Sequence, residues 1–274
     1  PFVKMKDGSG YLVINNQILC ERLFNSLYFD FSPYINGKKK SCGFFDYNKE
    51  FIEKILFRQT FFNCLPTNCV SFPDRNSREM SEKPNEPDFY ARTKRAELII
   101  VECKAIKMNG ECRDDGDYIR LLDELHEKIV FKTRNLDKNR KACSLQPKPI
   151  GIGQLIKHID SIEADAFEWD ENIPNDVSYY PILVFEDVRL LQPGFFSILN
   201  RWYYEEIAKM PEMILTDMDC KPIIPVSINT LYLHDNLIHK KGLPNIIDSF
   251  IDRNATFDKL TGKYNINELA DFDD

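Results

Sequence analysis

Several kinds of segment are missing from this 274-residue sequence, and each absence excludes a class of protein. No run of apolar residues is long enough to cross a bilayer, and no secretory signal begins the chain, so we expect no membrane partner. The sequence also has no phosphate loop of the form G-x-x-x-x-G-K-[S/T]. Any dependence on ATP would therefore have to come from a partner, such as an ATPase or another complex subunit, or from a part of the polypeptide outside this chain.

The sequence also lacks the cysteine spacing of a disulfide-stabilised protein. It has eight cysteines, and their spacing is not typical of a disulfide scaffold. Cys64 and Cys69 could supply two thiolates, but a structural zinc ion needs four ligands and no second pair has ligand spacing. Because Cys103 lies inside a strongly apolar segment, we expect a reducing, cytoplasmic environment.

The composition is typical of a folded protein. Hydrophobic residues make up 43% of the chain and aromatic residues 12%, which argues against a disordered polypeptide. The net charge of −7 argues mildly against indiscriminate binding to nucleic acid. It does not exclude an enzyme that acts on nucleic acid, because acidic metal ligands and a local basic surface can coexist.

The pattern of apolar residues predicts strands alternating with helices, and so an α/β protein. A hairpin is predicted from strands at 89–92 and 97–105, followed by a helix at 150–164 and a buried strand at 179–185. A helix at 195–210, a strand at 223–228 and a closing helix at 243–251 come after them.

The most informative segment is the second strand of that hairpin. Four apolar residues lead directly into Glu102, Cys103 and Lys104. Side chains alternate along a strand, so Glu102 and Lys104 point to one face and Cys103 to the other. Charged groups are costly at the end of a buried strand unless something there needs them. If Asp88 lies on the neighbouring strand, two carboxylates and an ammonium converge, which suits a divalent metal ion and a water nucleophile.

These residues carry a family resemblance. Pro87 and Asp88, followed by Glu102, Cys103 and Lys104, resemble the motif of the PD-(D/E)XK nuclease superfamily, which includes restriction enzymes, resolvases and recombination exonucleases. An E-x-K triplet alone is common by chance, so the resemblance depends on the order of the motifs over about residues 45–190.

The resemblance extends to the predicted helix that follows. Residues 151–158 are similar to the Gln-bearing helix of the RecB-like branch, with Gln154 as its glutamine. That branch usually has Tyr four residues after the Gln, where this chain has His158. A histidine at such a position is more often on the surface or packed than catalytic.

The resemblance implies a restriction-endonuclease-like core, with a mixed central β-sheet flanked by helices. It also implies the organisation of the chain. We predict an N-terminal extension at 1–44, the nuclease core at 45–190, and a C-terminal α/β extension at 191–274 that packs on the core.

It further implies hydrolysis of phosphodiester bonds with Mg²⁺ or Mn²⁺. Asp88 and Glu102 would be catalytic metal ligands, with the backbone carbonyl of Cys103 as a third ligand. Lys104 would orient the attacking water or stabilise the phosphorane. Gln154 would position the water or a phosphate oxygen.

A glutamate of the helix before the hairpin would add to the metal sphere. Glu53 and Glu50 are the candidates, and Glu53 is favoured because it lies nearer the predicted buried stripe of that helix.

Basic residues flank the predicted site along the sequence, and we expect them to contact DNA phosphates. They are Arg92, Lys94 and Arg95 at the hairpin tip, and Lys132, Arg134, Lys138 and Arg140 after it. A third basic cluster lies at 38–40, and a charge run is usually a solvated face. No base-reading module such as a zinc finger is recognisable.

The sequence thus predicts a metal-dependent deoxyribonuclease, with restriction, anti-phage defence or DNA repair as settings taken from the resemblance alone. Two alternatives stay open. One is a catalytically silent nuclease fold that binds nucleic acid or a protein. The other is a structural subunit, possible also as a homo-oligomer, that docks another chain through the aromatic residues Phe195, Phe196, Trp202, Tyr203 and Tyr204.

Overall fold

A computed structural model describes most of the chain, in two compact units, residues 1–52 and 53–274. In the first unit the described residues form a hairpin of β1 (Phe2–Lys4) and β2 (Tyr11–Val13). The described residues are 2–13, 52, 55–66, 69–73, 86–106, 116–132, 147–192, 194–210, 219–259, 261–267, 270 and 272.

The second unit alternates strands and helices. Its first half contains α1 (Phe57–Cys64), β3 (Val70–Phe72), β4 (Phe89–Arg92), β5 (Glu97–Lys104), α2 (Tyr118–Ile129), β6 (Phe131–Lys132), β7 (Lys148–Pro149) and α3 (Ile152–Glu163). Its second half contains β8 (Ser178–Phe185), a 3₁₀ helix (Val188–Leu191), α4 (Phe195–Ile207), β9 (Asp219–Cys220), β10 (Ile224–Ser227), α5 (Ile228–Leu233), α6 (Asp235–Lys241), α7 (Leu243–Asn254), β11 (Ala255–Asp258) and β12 (Lys263–Ile266).

A mixed sheet is the centre of this unit. Its strand order is β10-β8-β5-β4-β3, with β9 also paired to β8. Strands β10, β8 and β5 run parallel, whereas β4 and β3 are antiparallel to their neighbours. The predicted α/β class, with a mixed central sheet flanked by helices, is therefore confirmed. The domain boundaries at residues 44 and 190 stay predictions.

Strand β5 lies in the middle of the sheet and is buried on both faces. Every residue from Glu97 to Cys103 is buried, which is why its sequence reads as a continuous apolar run. On one face Leu98 and Ile100 join the core with Leu155 and Ile159 of α3. On the opposite face of the sheet, Phe89 at the start of β4 packs against the aromatic rings of α1.

The aromatic residues of α4 belong mainly to the core. Phe196, Trp202, Tyr203 and Tyr204 are all buried, and Phe195 packs against the core cluster that contains Trp202, Tyr203 and Tyr204. Burying a large apolar side chain contributes roughly 1.5–3 kcal/mol. These rings therefore stabilise the fold within the chain itself.

No helix among the described residues is long and apolar enough to cross a membrane.

Two glycines let α3 begin close to the end of α2. Gly151 has a φ of +46°, and a Cβ there would lie 2.5 Å from the carbonyl oxygen of Ile129. A Cβ on Gly153 would lie 2.5 Å from the carbonyl oxygen of Val130. Only glycine permits this approach, which sets the position of α3 over the sheet.

Gly153→Ala should therefore destabilise the protein by about 1–3 kcal/mol, because the new methyl group meets backbone and forces a shift. In an ordinary helix the same change stabilises by up to about 1 kcal/mol, so the sign of the effect is informative. Chemical denaturation measures it, with the exposed Asp160→Ala on the same helix as the control. An unchanged or raised stability for Gly153→Ala would contradict the close approach.

Candidate active site

The carboxyl end of β5 brings three predicted site residues to one face of the sheet. Phe89 of β4 pairs with Val101 of β5, so Asp88 lies beside Glu102. Because side chains alternate along a strand, Asp88, Glu102 and Lys104 share a face. In open α/β sheets ligands bind outside the carboxyl ends of the strands, and Lys104 is the last residue of β5.

The charged groups of these residues meet. The Lys104 Nζ atom lies 2.9 Å from Glu102 Oε2 and 3.5 Å from Asp88 Oδ2. The backbone N–H of Cys103 donates to Asp88 Oδ2 at 2.8 Å, which holds this carboxylate against the strand. Cys103 thus contacts the site through its backbone, while its side chain is buried on the opposite face.

Glu102 is the most deeply buried charge of the site, with a relative exposure of 0%. Burial by itself would raise the pKa of this carboxyl, since it disfavours the charged form. The positive charge of Lys104 and the contact with His158 outweigh burial, and the net effect is a pKa below the usual value of 4.5. Glu102 is therefore an anion at neutral pH.

His158 completes the surroundings of Glu102. Its Nε2 atom lies 3.3 Å from Glu102 Oε1, and its side chain is almost entirely buried. In the sequence His158 departs from the Tyr of the resembled branch, and it was expected to be a surface or packed residue. It is packed, but its contact with Glu102 was not predicted. The available signal was helical spacing, because residues four apart lie on one face of a helix and His158 follows Gln154 by four.

Gln154 faces the N-terminus of its own helix. Its Oε1 atom accepts a hydrogen bond from the N–H of Gly151 at 3.0 Å. This contact satisfies one of the backbone donors that a helix start leaves open. In this structure the Gln154 side-chain oxygen is therefore used to cap the helix. The role predicted for Gln154, positioning a water or a phosphate oxygen, stays a prediction.

The basic residues of the β4–β5 turn differ in their partners. Arg92 donates to Asp170 through two nitrogens, at 2.6 and 3.1 Å, and Tyr90 donates to the same carboxylate at 2.8 Å. Arg95 is 60% exposed and contacts Glu97 and Asn245.

Lys94, in the same turn, and Lys132, at the end of β6, are both exposed. A strand rises about 3.3 Å per residue, so the turn lies roughly 17 Å along β5 from Glu102. The predicted DNA contacts of these basic residues stay predictions. The other predicted residues lie outside the described part of the chain: Glu50, Glu53, the cluster at 38–40, Arg134, Lys138 and Arg140.

The donors present suit a hard cation. Asp88 and Glu102 both approach one positive atom, the Lys104 Nζ, so their oxygens can serve a shared cation. Mg²⁺ commonly takes one or two carboxylates and keeps several waters. Among the described residues no group of three or more His, Cys, Asp or Glu side chains is placed to hold a metal ion. Asp88 and Glu102 are thus the two carboxylates of the predicted set that the described part of the chain brings together, and Mg²⁺ or Mn²⁺ binding stays a prediction.

Comparisons with known proteins returned no match to this chain, whether with family models, curated proteins or solved structures. The functional argument therefore depends on the geometry of the site.

The contacts of Asp170 predict a pH dependence of stability. Burial would raise the pKa of this carboxyl, but the hydrogen bonds from Arg92 and Tyr90 prevail and lower it below 3.8. A lowered folded pKa stabilises the fold above the unfolded pKa and loses that effect as pH falls through the folded value. At pH 7, Asp170→Asn should therefore cost about 1.5–3 kcal/mol of unfolding free energy.

The difference between wild type and Asp170→Asn should shrink as the pH falls below 3.8. Denaturant unfolding at neutral and acidic pH measures it, with the exposed Asp176→Asn as the control. A difference that stays constant with pH would contradict the ion pair.

Proposed function

We propose that this chain is a metal-dependent nuclease with a restriction-endonuclease-like core, hydrolysing phosphodiester bonds in DNA. The observation that carries the proposal is the meeting of Asp88, Lys104 and the buried Glu102 at the end of the central strand. A fully buried carboxylate is costly for stability alone. Its charge at neutral pH, next to a second carboxylate and an ammonium, is suited to phosphate chemistry.

Asp88 and Glu102 would hold Mg²⁺ or Mn²⁺, with the carbonyl of Cys103 as the predicted third ligand. The metal would lower the pKa of a bound water and neutralise charge that develops on the phosphate. Lys104 would donate from Nζ to the attacked phosphate or to the nucleophilic water, which requires its ammonium to turn from Glu102 toward the substrate. Its side chain is 17% exposed and lies at the end of the strand.

The settings of the activity come from the resemblance alone. Restriction, anti-phage defence and DNA repair all use such enzymes, and each would place the protein in the cytoplasm with DNA as its substrate. An ATPase or another complex subunit would be the partner if cutting requires translocation. The alternative is a silent nuclease-fold subunit that binds nucleic acid or a protein partner.

Cleavage of supercoiled plasmid, linear duplex, single-stranded DNA and RNA, with Mg²⁺, Mn²⁺ or EDTA, tests the activity. The wild type should cut DNA only with metal, and Glu102→Ala should lower the rate by about 100-fold or more. Asp160→Ala, which removes an exposed carboxylate, should cut like the wild type. Equal cutting by Glu102→Ala would place the active site elsewhere, and no metal-dependent cutting by the wild type would favour the silent alternative.

Lys104→Met separates metal binding from catalysis. The ammonium lies close to both carboxylates and opposes any second cation, so its removal should strengthen Mn²⁺ binding by about 10-fold. Cleavage should nevertheless be lost, because the donor to the phosphate is gone. Calorimetry measures the affinity, and the exposed Lys240→Met is the control for a general change in charge. Weaker Mn²⁺ binding in Lys104→Met would contradict a shared cation position.

A further inference from the structure

We propose that His158 is a positioning residue, which holds Glu102 in the orientation that binds metal while Lys104 turns to the substrate. The inference rests on the proposed function. It starts from the two oxygens of the Glu102 carboxylate, which have different partners. Lys104 contacts Oε2 at 2.9 Å, and His158 contacts Oε1 at 3.3 Å.

The direction of the hydrogen bond follows from the charge of Glu102. An ionised carboxylate only accepts hydrogen bonds, so the contact with His158 is attractive only when Nε2 carries the proton. Both the imidazolium and one neutral tautomer meet this condition. His158 is therefore the donor, and Glu102 keeps its remaining lone pairs for a cation.

The two partners of Glu102 differ in freedom. Lys104 is a long side chain at the strand end with some exposure, so it can exchange one anionic partner for another. The His158 ring is buried, with Phe167 and Trp169 edge-on to it at 6.3 Å each. Those two rings contact Tyr90 and Phe72 in turn, which ties the histidine to the sheet.

A fixed donor matters when the lysine leaves. Without Lys104, His158 would be the one remaining side chain among the described residues that contacts the fully buried Glu102 carboxylate. Hydrogen-bonded partners of metal ligands commonly change metal affinity or activity by 10–100-fold when removed. We therefore assign to His158 the task of keeping the Glu102 carboxylate aligned throughout the reaction.

A set of three substitutions tests the donor position. The amide nitrogen of Gln reaches about as far from the backbone as Nε2 of His, whereas that of Asn reaches only about as far as Nδ1. His158→Phe keeps a ring and has no donor. Mn²⁺ binding without substrate, followed by electron paramagnetic resonance, is measured beside kcat and the Mn²⁺ concentration for half-maximal cutting. Thermal unfolding identifies variants that fail to fold, and Asp160→Ala on the same helix is the control.

His158→Phe and His158→Asn should both bind Mn²⁺ roughly 10–100-fold more weakly and need correspondingly more Mn²⁺ for cutting. His158→Gln should recover most of the affinity. If His158→Phe does not fold, the comparison of His158→Gln with His158→Asn still tests whether the position of the donor matters. Equal Mn²⁺ affinity in all variants would overturn the positioning role, and so would an equal loss of Mn²⁺ affinity in His158→Gln and His158→Asn. The nuclease proposal would stand in either case. A wild type that neither binds Mn²⁺ nor cuts would overturn the proposed function and this inference with it.

Discussion

The charge of Glu102, buried in the middle of the sheet, is the constraint on which the rest of this structure depends. An isolated carboxylate in such a place costs several kcal/mol, and only well-placed partners offset that cost. Lys104 supplies one partner from the same strand, and His158 supplies the other from α3. A shift in the position of α3 would remove His158, and a shift in register between β4 and β5 would move Asp88 away from Lys104. The fold and the chemistry of the site are therefore coupled.

The position of α3 follows from backbone contacts at its N-terminus. Gly151 and Gly153 allow the start of the helix to approach the carbonyl groups at the end of α2. The Gln154 side chain caps the same helix start, and Leu155 and Ile159 pack into the core beside β5. The helix face that carries these residues also carries His158 to Glu102. Packing thus positions a polar group with the precision that a hydrogen bond requires.

Strand β5 separates two charged regions of different character. Its carboxyl end carries the acidic and basic groups of the site, and the turn at its other end carries exposed Lys94 and Arg95. The distance of roughly 17 Å corresponds to about five nucleotides of one strand. Arg92, the last residue of β4 before this turn, has an internal partner in Asp170. On the nuclease proposal, phosphate contacts at the turn would therefore fall several nucleotides from the cut.

Local pattern in the sequence determined strands β4, β5, β8 and β10 and helices α3, α4 and α7, and it determined that Glu102 and Lys104 share a face. Both follow from periodicity and from a short hairpin, which involve neighbours in the chain. Tertiary structure alone decided that His158 contacts Glu102, 56 residues away, and that Arg92 pairs with Asp170, 78 residues away. It also decided that Gln154 caps its own helix. Contacts between distant segments depend on how helices pack on the sheet, and no local periodicity records that packing.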